Sequence, residues 1–186
     1  MTAGGGEAAR GATATLEALY RAEFAAFVGL ARWIVSDRRL AEELVNDTFV
    51  RLLERPPTLT DETNLRAYVR TAIVNRSRSR IRRLVLERRH ASTTDHRTDG
   101  PPEPEEVALV RAAIAALPRR QREVVVLRFH ADLSVAAIAA TLGIGGGSVK
   151  THLHRAMRAL ERHIEAVDPD RTATEAVGGP LRTEQS

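Results

Sequence analysis

A stretch with almost no apolar side chains divides this sequence into two parts and limits what each part can form. Residues 91–105 read ASTTDHRTDGPPEPE, with three prolines and several turn-forming residues, which is typical of a linker. The flanking segments, 15–90 and 106–167, show no strand-like alternation apart from the short, ambiguous run Val124–Leu127. We therefore predict an all-α protein in which two small helical domains are joined by a flexible linker.

Composition narrows the kinds of chemistry open to the chain. The absence of cysteine excludes disulfides, zinc ribbons and thiolate chemistry. The 28 basic residues outnumber the 24 acidic ones, and all except Lys150 are arginines, whose charge does not titrate away. A polyanionic partner is therefore expected. Neither a signal peptide nor a membrane-spanning run is apparent, which predicts a cytoplasmic protein. Residues 1–14 and 168–186 lack apolar periodicity and are predicted to be disordered.

Three helices are expected in the first domain. Thr15 is a candidate N-cap for the first helix, whose apolar stripe continues to Val35. The second helix covers about Arg38 to Glu54 and ends before two prolines. The third runs from about Asn64 to His90. The polar outer face of the second helix is made by Glu42, Glu43, Asn46 and Asp47.

The third helix is the most basic part of the chain. Residues 64–90 hold nine arginines and one acid, Glu87, so most of this charge is uncompensated within the helix. The densest cluster is Arg76, Arg78, Arg80, Arg82 and Arg83. Arginine-rich faces are often only solvated surface. Here the self-repulsion favours an anionic ligand, and phosphate is the obvious one.

Residues 133–160 carry the clearest motif, LSVAAIAATLGIGGGSVKTHLHRAMRAL, which predicts a helix-turn-helix. Ser134 is a good N-cap for a short helix over Val135–Leu142, and Gly143 suits a left-handed turn. The next helix is expected to start near Gly146 to Ser148. The preceding helix, after Pro118, is predicted to bury Val124, Val125, Leu127 and Phe129 and to expose Arg119, Arg120 and Arg122.

The second helix of this motif has two distinct faces. Its predicted buried face comprises Val149, Leu153, Ala156, Met157, Leu160 and Ile164. The opposite face is polar and basic, and comprises Lys150, Thr151, His154, Arg155, Arg158 and Arg162. Such a face matches a DNA recognition helix, whose first turns reach base edges in the major groove. His152 and His154 point to different helix faces, so no metal site is predicted, and no cofactor is expected.

These motifs carry a family resemblance. One stretch resembles domain four of the extracytoplasmic-function sigma factors of RNA polymerase. It reads LPRRQREVVVLRFHADLSVAAIAATLGIGGGSVKTHLHRAMRAL and contains the family's Leu-Pro, Q-R-E-V and G-S-V-K-T elements. An earlier stretch resembles domain two of the same family. It reads LYRAEFAAFVGLARWIVSDRRLAEELVNDTFVRLLE and is followed by NLRAYVRTAIVNRSRSRIRR. The two resemblances cover most of the predicted ordered chain, in the family's order.

The resemblance implies a role for each domain. Domain two, residues 15–90, binds core polymerase and the minus-10 promoter element, and domain four, residues 106–167, binds the minus-35 element. The implied polymerase contacts, on a coiled coil of the β′ subunit, are Glu43, Asn46, Asp47, Phe49 and Leu53. Those implied for minus-10 DNA and phosphate are Asn64, Arg66, Tyr68, Asn75, Arg76, Arg78, Arg80 and Arg83. Those implied for the minus-35 element are Ser148, Lys150, Thr151, His154, Arg155 and Arg158. Further implied partners are the polymerase β flap and an anti-sigma factor.

Two positions depart from the family pattern. Gly145 stands where a polar cap is usual, and the run Gly145 to Gly147 lowers helix propensity by up to about 1 kcal/mol for each helical glycine. Tyr68 stands where tryptophan is common, which preserves an aromatic anchor.

Two other classes of protein remain to be weighed. A stand-alone helix-turn-helix regulator explains the second domain but not the acidic helix followed by an arginine-rich one. An enzyme acting on nucleic acid is not supported, because the sequence shows no carboxylate cluster and no nucleophile-base pair. GIGGGS resembles a phosphate-binding loop only superficially, since no strand precedes it. The chain is therefore not expected to be an enzyme.

Overall fold

The structure, a computed structural model, describes residues 3–57, 59, 61–90 and 104–167, and side chains within 10–57, 59, 61–86, 104–163 and 166. These residues form helices and connecting turns and contain no strand. The first domain comprises α1 (Ala3–Val35), α2 (Arg38–Glu54) and α3 (Glu62–His90). The second comprises α4 (Glu105–Ala116), α5 (Arg119–Val125), a π-helical turn (Val126–His130), α6 (Val135–Leu142) and α7 (Gly146–Val167). The all-α prediction is confirmed, while residues 91–103 of the predicted linker and the tail 168–186 lie outside the described residues.

A tight turn joins α1 to α2. Ser36 adopts a positive φ of 62°, and its amide donates to the carbonyl of Arg32 over 2.8 Å. The Asp37 carboxylate then accepts from the amide of Leu40 at 2.9 Å, which caps the new helix. α2 ends at Glu54, before Pro56 and Pro57, as predicted.

The core of the first domain lies between its three helices. Its fully buried large side chains include Leu16 of α1, Phe49 of α2 and Leu65 of α3. Phe49 also meets the rings of Tyr20 and Phe27, at centroid distances of 5.1 and 5.8 Å. These contacts fix the register of α2 against α1, and so determine which residues of α2 face outward.

The start of α1 differs from the prediction. Residues 3–14 are helical, whereas disorder was expected up to residue 14. Thr15 is not a cap, because its hydroxyl donates to the carbonyl of Gly11 over 3.0 Å, a bond typical of threonine inside a helix. Ala12 and Leu16 are fully buried. The buried face of α1 therefore begins at Ala12, one turn before Leu16, where the apolar stripe of the sequence starts.

In the second domain, the predicted helix-turn-helix is present with the predicted boundaries. Ser134 caps α6 by accepting from the amide of Ala137 at 3.2 Å. Gly143 ends α6 in the left-handed region, with φ 64° and ψ 41°. Ile138 and Leu142 are buried beneath α7 together with Val149.

Two predicted core residues of this domain lie at the surface instead. Phe129 is 64% exposed, because the π-helical turn inserts an extra residue between Val124 and the end of the helix and rotates Phe129 away from the core. The turn is visible in the bond from the amide of Ala131 to the carbonyl of Val126, five residues earlier. Met157 is also exposed, beside the buried Ala156.

The two domains pack against each other. Leu30 and Ile34 of α1 and Val74 of α3 belong to the same apolar cluster as the buried residues of the second domain. Trp33 of α1 lies at this boundary, with the Arg111 guanidinium 4.3 Å from its ring centroid and the His130 ring 6.0 Å away. The described parts of the two predicted domains therefore form one closed body.

Candidate nucleic-acid and partner-binding surfaces

α7 presents the predicted recognition face to solvent. Val149 and Ala156 on its inner side are fully buried, which fixes the rotation of the helix. All six residues expected to contact the minus-35 element are exposed: Ser148, Lys150, Thr151, His154, Arg155 and Arg158. The Thr151 hydroxyl donates to the carbonyl of Gly147 at 3.0 Å. The arrangement places a lysine and two arginines along one exposed face of a helix, where their donors are accessible to anions and other hydrogen-bond acceptors.

The glycine run at the start of α7 is not required by packing. Gly145 accepts from the amide of Val149 at 3.1 Å through its backbone carbonyl. A Cβ added at Gly145 or Gly147 would meet no atom within 4 Å. Gly143, with its positive φ, is the glycine in this stretch whose backbone conformation disfavours other residues.

The arginine cluster of α3 has anionic partners, but they come from other helices. Arg76 donates to the Asp47 carboxylate of α2 over 2.8 Å. Arg78 is 11% exposed and pairs with Glu123 of α5, while Arg83 is exposed and Arg80 is half-buried. The expectation concerned acids within the helix itself, and acids distant in sequence compensate the charge of Arg76 and Arg78 instead.

Glu123 is a fully buried carboxylate at the boundary between the domains. The Arg78 guanidinium donates to it twice, Nε to Oε1 at 2.9 Å and Nη2 to Oε2 at 3.0 Å. Arg120 adds a bond of 3.1 Å, and Arg119 lies at 3.8 Å. A buried charge of this kind is tolerated only when its partners satisfy it.

Arg122 is a second polar link between the domains. Its guanidinium donates to the carbonyl of Ile34, at the end of α1, over 3.1 Å. It also donates to the carbonyls of Ala115 and Leu117 at the end of α4. Burial lowers the pKa of Arg122, an effect that the neighbouring Glu123 partly offsets. The prediction that Arg122 is exposed is therefore wrong, whereas Arg119 is exposed as expected.

Residues expected at the minus-10 element occupy the first half of α3. Asn64 and Tyr68 are exposed, and the backbone amide of Asn64 is held by Asp61 at 2.9 Å. Arg66 pairs with Glu62 and with Glu23 of α1.

Asn75 lies further along the same helix. It is exposed, and its side-chain oxygen accepts from Arg78 Nη1 at 3.0 Å. The first half of α3 therefore offers an aromatic ring and polar groups to solvent, next to the basic second half.

The outer face of α2 combines carboxylates with an apolar groove. Glu43, Asn46 and Asp47 are exposed. A groove of about 200 Å³ runs between α1 and α2 and is lined by Glu17, Tyr20, Arg21, Asn46, Phe49, Val50 and Leu53.

One residue in this groove is not a surface residue. Phe49 is 2% exposed, so it supports the floor of the groove and presents little surface to a partner. Leu53, the other apolar residue of the implied polymerase contacts, is partly exposed at the rim. Tyr20 donates to Asn46 Oδ1 at 2.9 Å, which orders the polar edge.

Comparison with known proteins identifies both domains. Sigma-70 region 2 matches residues 19–86 and Sigma-70 region 4 matches residues 108–160. The RNA polymerase sigma-E factor of Streptomyces avermitilis is 30% identical over 173 residues, covering 90% of this chain and 94% of that protein. The ECF RNA polymerase sigma factor SigL of Mycobacterium tuberculosis is 31% identical over 170 residues, covering 85% of this chain and 93% of that protein.

This chain belongs to the ECF RNA polymerase sigma factor family. As a sigma factor, it binds core RNA polymerase and directs it to specific promoters for transcription initiation. Its fold is similar to that of sigma factor RpoE of Bartonella quintana, solved with the anti-sigma factor NepR (TM-score 0.66, 22% identity, 80% of this chain and 96% of that one). It is also similar to CnrH, solved with the cytosolic domain of CnrY (TM-score 0.64, 24% identity, 87% and 94%).

Neither a membrane-spanning helix nor a cluster of metal ligands occurs among the described residues. No helix among the described residues is long and apolar enough to cross a membrane. Within the same part of the chain, no three histidine, aspartate or glutamate side chains gather as metal ligands would.

The buried ion pair at the boundary between the domains was not predicted from the sequence. Glu123 stands next to the apolar run Val124–Leu127, and a carboxylate at a position that continues a buried face is a sign of a buried ion pair. No local pattern indicates that its main partner is Arg78, 45 residues away.

Proposed function

We propose that this sigma factor docks on core polymerase through the outer face of α2 and contacts promoter DNA through α3 and α7. The observation that carries the proposal is the polar, basic face of α7, whose six candidate residues are all exposed opposite a buried seam. A helix of this kind, in a helix-turn-helix, fits the major groove.

The reading of the minus-35 element is assigned to the first turns of α7. Lys150 and Arg155 carry donors that match guanine acceptors, while Thr151 and His154 offer shorter polar groups to neighbouring bases. Ser148 and Arg158 flank them and suit phosphate. Specificity at this element then depends on the first turns of the helix, and general affinity depends on its later arginines.

The minus-10 element is assigned to α3 and the loop before it. The exposed Tyr68 ring suits stacking on an unpaired base, and the Asn64 and Asn75 side chains suit hydrogen bonds to its exposed edge. Arg66, Arg76, Arg78, Arg80 and Arg83 supply charge for the strand backbone. Domain two thereby holds melted DNA without any covalent chemistry, so catalysis stays with the polymerase.

The docking surface for polymerase is assigned to the groove and its acidic edge. The groove accepts an apolar side chain of the β′ coiled coil, and Glu43, Asn46 and Asp47 suit basic and polar groups around it. Phe49 and Leu53 then contribute mainly as the floor and rim. Domain four is assigned to the β flap, which sets the distance between the two DNA-reading helices.

An anti-sigma factor is a further proposed partner, and the cell interior is the proposed site of action. The first proposal is supported by similarity, because sigma factor RpoE was solved with the anti-sigma factor NepR.

The docking assignment is tested by measuring binding to core polymerase. Glu43→Arg should weaken binding by at least about tenfold, because it reverses a charge at a complementary interface, with no loss of helical circular dichroism. Glu106→Arg, an exposed acid on α4, is the matched control and should bind normally. Equal binding by both variants would remove this face from the docking surface. Tight, specific promoter binding without polymerase would instead favour the stand-alone regulator.

A further inference from the structure

We infer that the free sigma factor is held closed by the ion pair between Arg78 and Glu123, and that Glu123 takes the place on Arg78 that a promoter phosphate takes in the open chain. This inference rests on the proposed role of α3 in DNA binding. It makes one residue, Arg78, serve two states, paired within the protein in one and bound to DNA in the other.

The geometry of the pair is that of phosphate recognition. Two nitrogens of Arg78 donate to the two carboxylate oxygens of Glu123, at 2.9 and 3.0 Å. A guanidinium uses the same parallel pair of bonds for carboxylate and for phosphate. With 11% of its side chain exposed, Arg78 cannot offer these donors to DNA while the domains are closed.

The two partners are unequal once the domains separate. Glu123 keeps Arg119 and Arg120 from its own helix, three and four residues away, so its charge stays compensated. Arg78 keeps a bond to the neutral side-chain amide of Asn75. Opening therefore leaves an arginine without an anion on the most basic helix of the chain, which favours its capture by phosphate.

Two other polar contacts between the domains suit a reversible closure. Arg122 donates to the carbonyl of Ile34, a group that water can satisfy after opening because it ends a helix. Arg111 stacks on Trp33, and water can solvate both groups when they separate. The pair between Arg78 and Glu123 differs from these contacts because its loss changes the DNA-binding surface.

The closed body is too small to span a promoter. The minus-10 and minus-35 elements are roughly 85 Å apart along B-DNA, at about 3.4 Å per base pair. The longest helix of this body, α1 with 33 residues, is only about 50 Å long at about 1.5 Å per residue. The two DNA-reading helices therefore cannot reach both elements until the pair between Arg78 and Glu123 breaks.

The closure is tested by the distance between the domains in the full chain. Because the chain has no cysteine, Glu54→Cys on α2 and Glu161→Cys on α7 can carry two spin labels, both at exposed positions. The parent chain should give one narrow short distance. Glu123→Gln and Arg78→Ala should each raise the ratio of open to closed chains by roughly tenfold or more. The control Glu42→Gln, which breaks a pair with Arg38 inside α2, should leave the distance unchanged.

A distance that stays short in both variants would overturn the inference. If Glu123→Gln fails to fold by circular dichroism, Arg78→Ala decides the result, since it leaves Glu123 with two arginine partners.

Binding of the free chain to a duplex promoter fragment separates the two halves of the inference. Glu123→Gln should bind more tightly than the parent, with a salt slope steeper by about 0.9 for one added phosphate contact. Arg78→Ala added to Glu123→Gln should open the chain equally but lose the contact of Arg78 with phosphate, while Arg119 and Arg120 stay released in both variants. An equal gain in both variants would show that Arg78 is not the phosphate ligand and would overturn that half. Core polymerase is absent from both measurements, so failure of polymerase docking is distinguishable from failure of this inference.

Discussion

Arg76 of α3 donates to the Asp47 carboxylate of α2 over 2.8 Å, which joins a cation proposed to bind DNA to an acid proposed to bind polymerase. Both side chains retain solvent access, with 25% and 55% of their surface exposed. The two proposed surfaces of domain two are therefore adjacent, and a change at one alters the charge presented by the other.

Asp47→Asn should separate docking from stability. The pair is partly exposed, so its loss should change the free energy of unfolding by less than about 1 kcal/mol. Polymerase binding should weaken, while binding of single-stranded minus-10 DNA should rise because Arg76 is released. Urea unfolding and fluorescence anisotropy with labelled DNA measure these effects. Arg38→Gln, at the other end of α2, is the control, and a large loss of stability in Asp47→Asn would show that the pair is structural.

Recognition by α7 is tested by comparing early and late positions on the helix. Lys150→Ala and Arg155→Ala should each cost about 1 to 3 kcal/mol at particular minus-35 base pairs. Arg162→Ala, exposed but nearly two turns beyond Arg155, should weaken all sequences alike and lower the salt dependence. Holoenzyme binding across a library of upstream elements at two salt concentrations gives both quantities. Equal shifts on every sequence in all three variants would mean that α7 attracts DNA without reading it.

The glycines beside α7 should respond in opposite directions. Gly147→Ala should stabilise the chain by up to about 1 kcal/mol, because the added methyl group meets no atom within 4 Å and alanine favours the helix. Gly143→Ala should destabilise it by about 1 kcal/mol or more, since its φ is 64°. Thermal unfolding compares the two directly. A loss of stability in Gly147→Ala would contradict the expectation that helix propensity decides the effect at this position.

His130 should make the stability of the closed chain depend on pH. Burial, and then the charge of Arg111, lower the pKa of His130 below its ordinary value near 6.5. As the pH falls, the imidazole of His130 is therefore protonated in the unfolded chain before it is protonated in the folded one. The contribution of His130 to the free energy of unfolding is fully present above about pH 6.5 and is lost below it. His130→Gln should reduce the fall in stability between pH 7.5 and pH 5.5. Identical pH profiles for the two chains would remove His130 from this effect.

Local signals account for the parts of the fold that the sequence predicted. The end of α2 at Glu54, the cap at Ser134 and the left-handed Gly143 depend on neighbouring residues only, and such patterns are visible in the chain itself. The exposed face of α7 followed from the same reasoning, since Val149 and Ala156 set the buried side. The six candidate residues of this face were identified correctly as exposed.

Features that depend on distant contacts were missed. The π-helical turn that exposes Phe129 changes the helical period, and no sequence motif predicted this turn. The pairing of Arg76 with Asp47 spans 29 residues, and that of Arg78 with Glu123 spans 45. The predicted charge of α3 was right in sign, but the partners of these two arginines follow from helix packing, which periodicity does not give.

Mapping transcript start sites made by core RNA polymerase with and without this protein tests its role in promoter selection. We expect discrete new start sites, each preceded by shared minus-10 and minus-35 sequences, and their loss with Glu43→Arg but not with Glu106→Arg. Start sites that are unchanged by the protein, together with specific promoter binding in the absence of polymerase, would contradict this role.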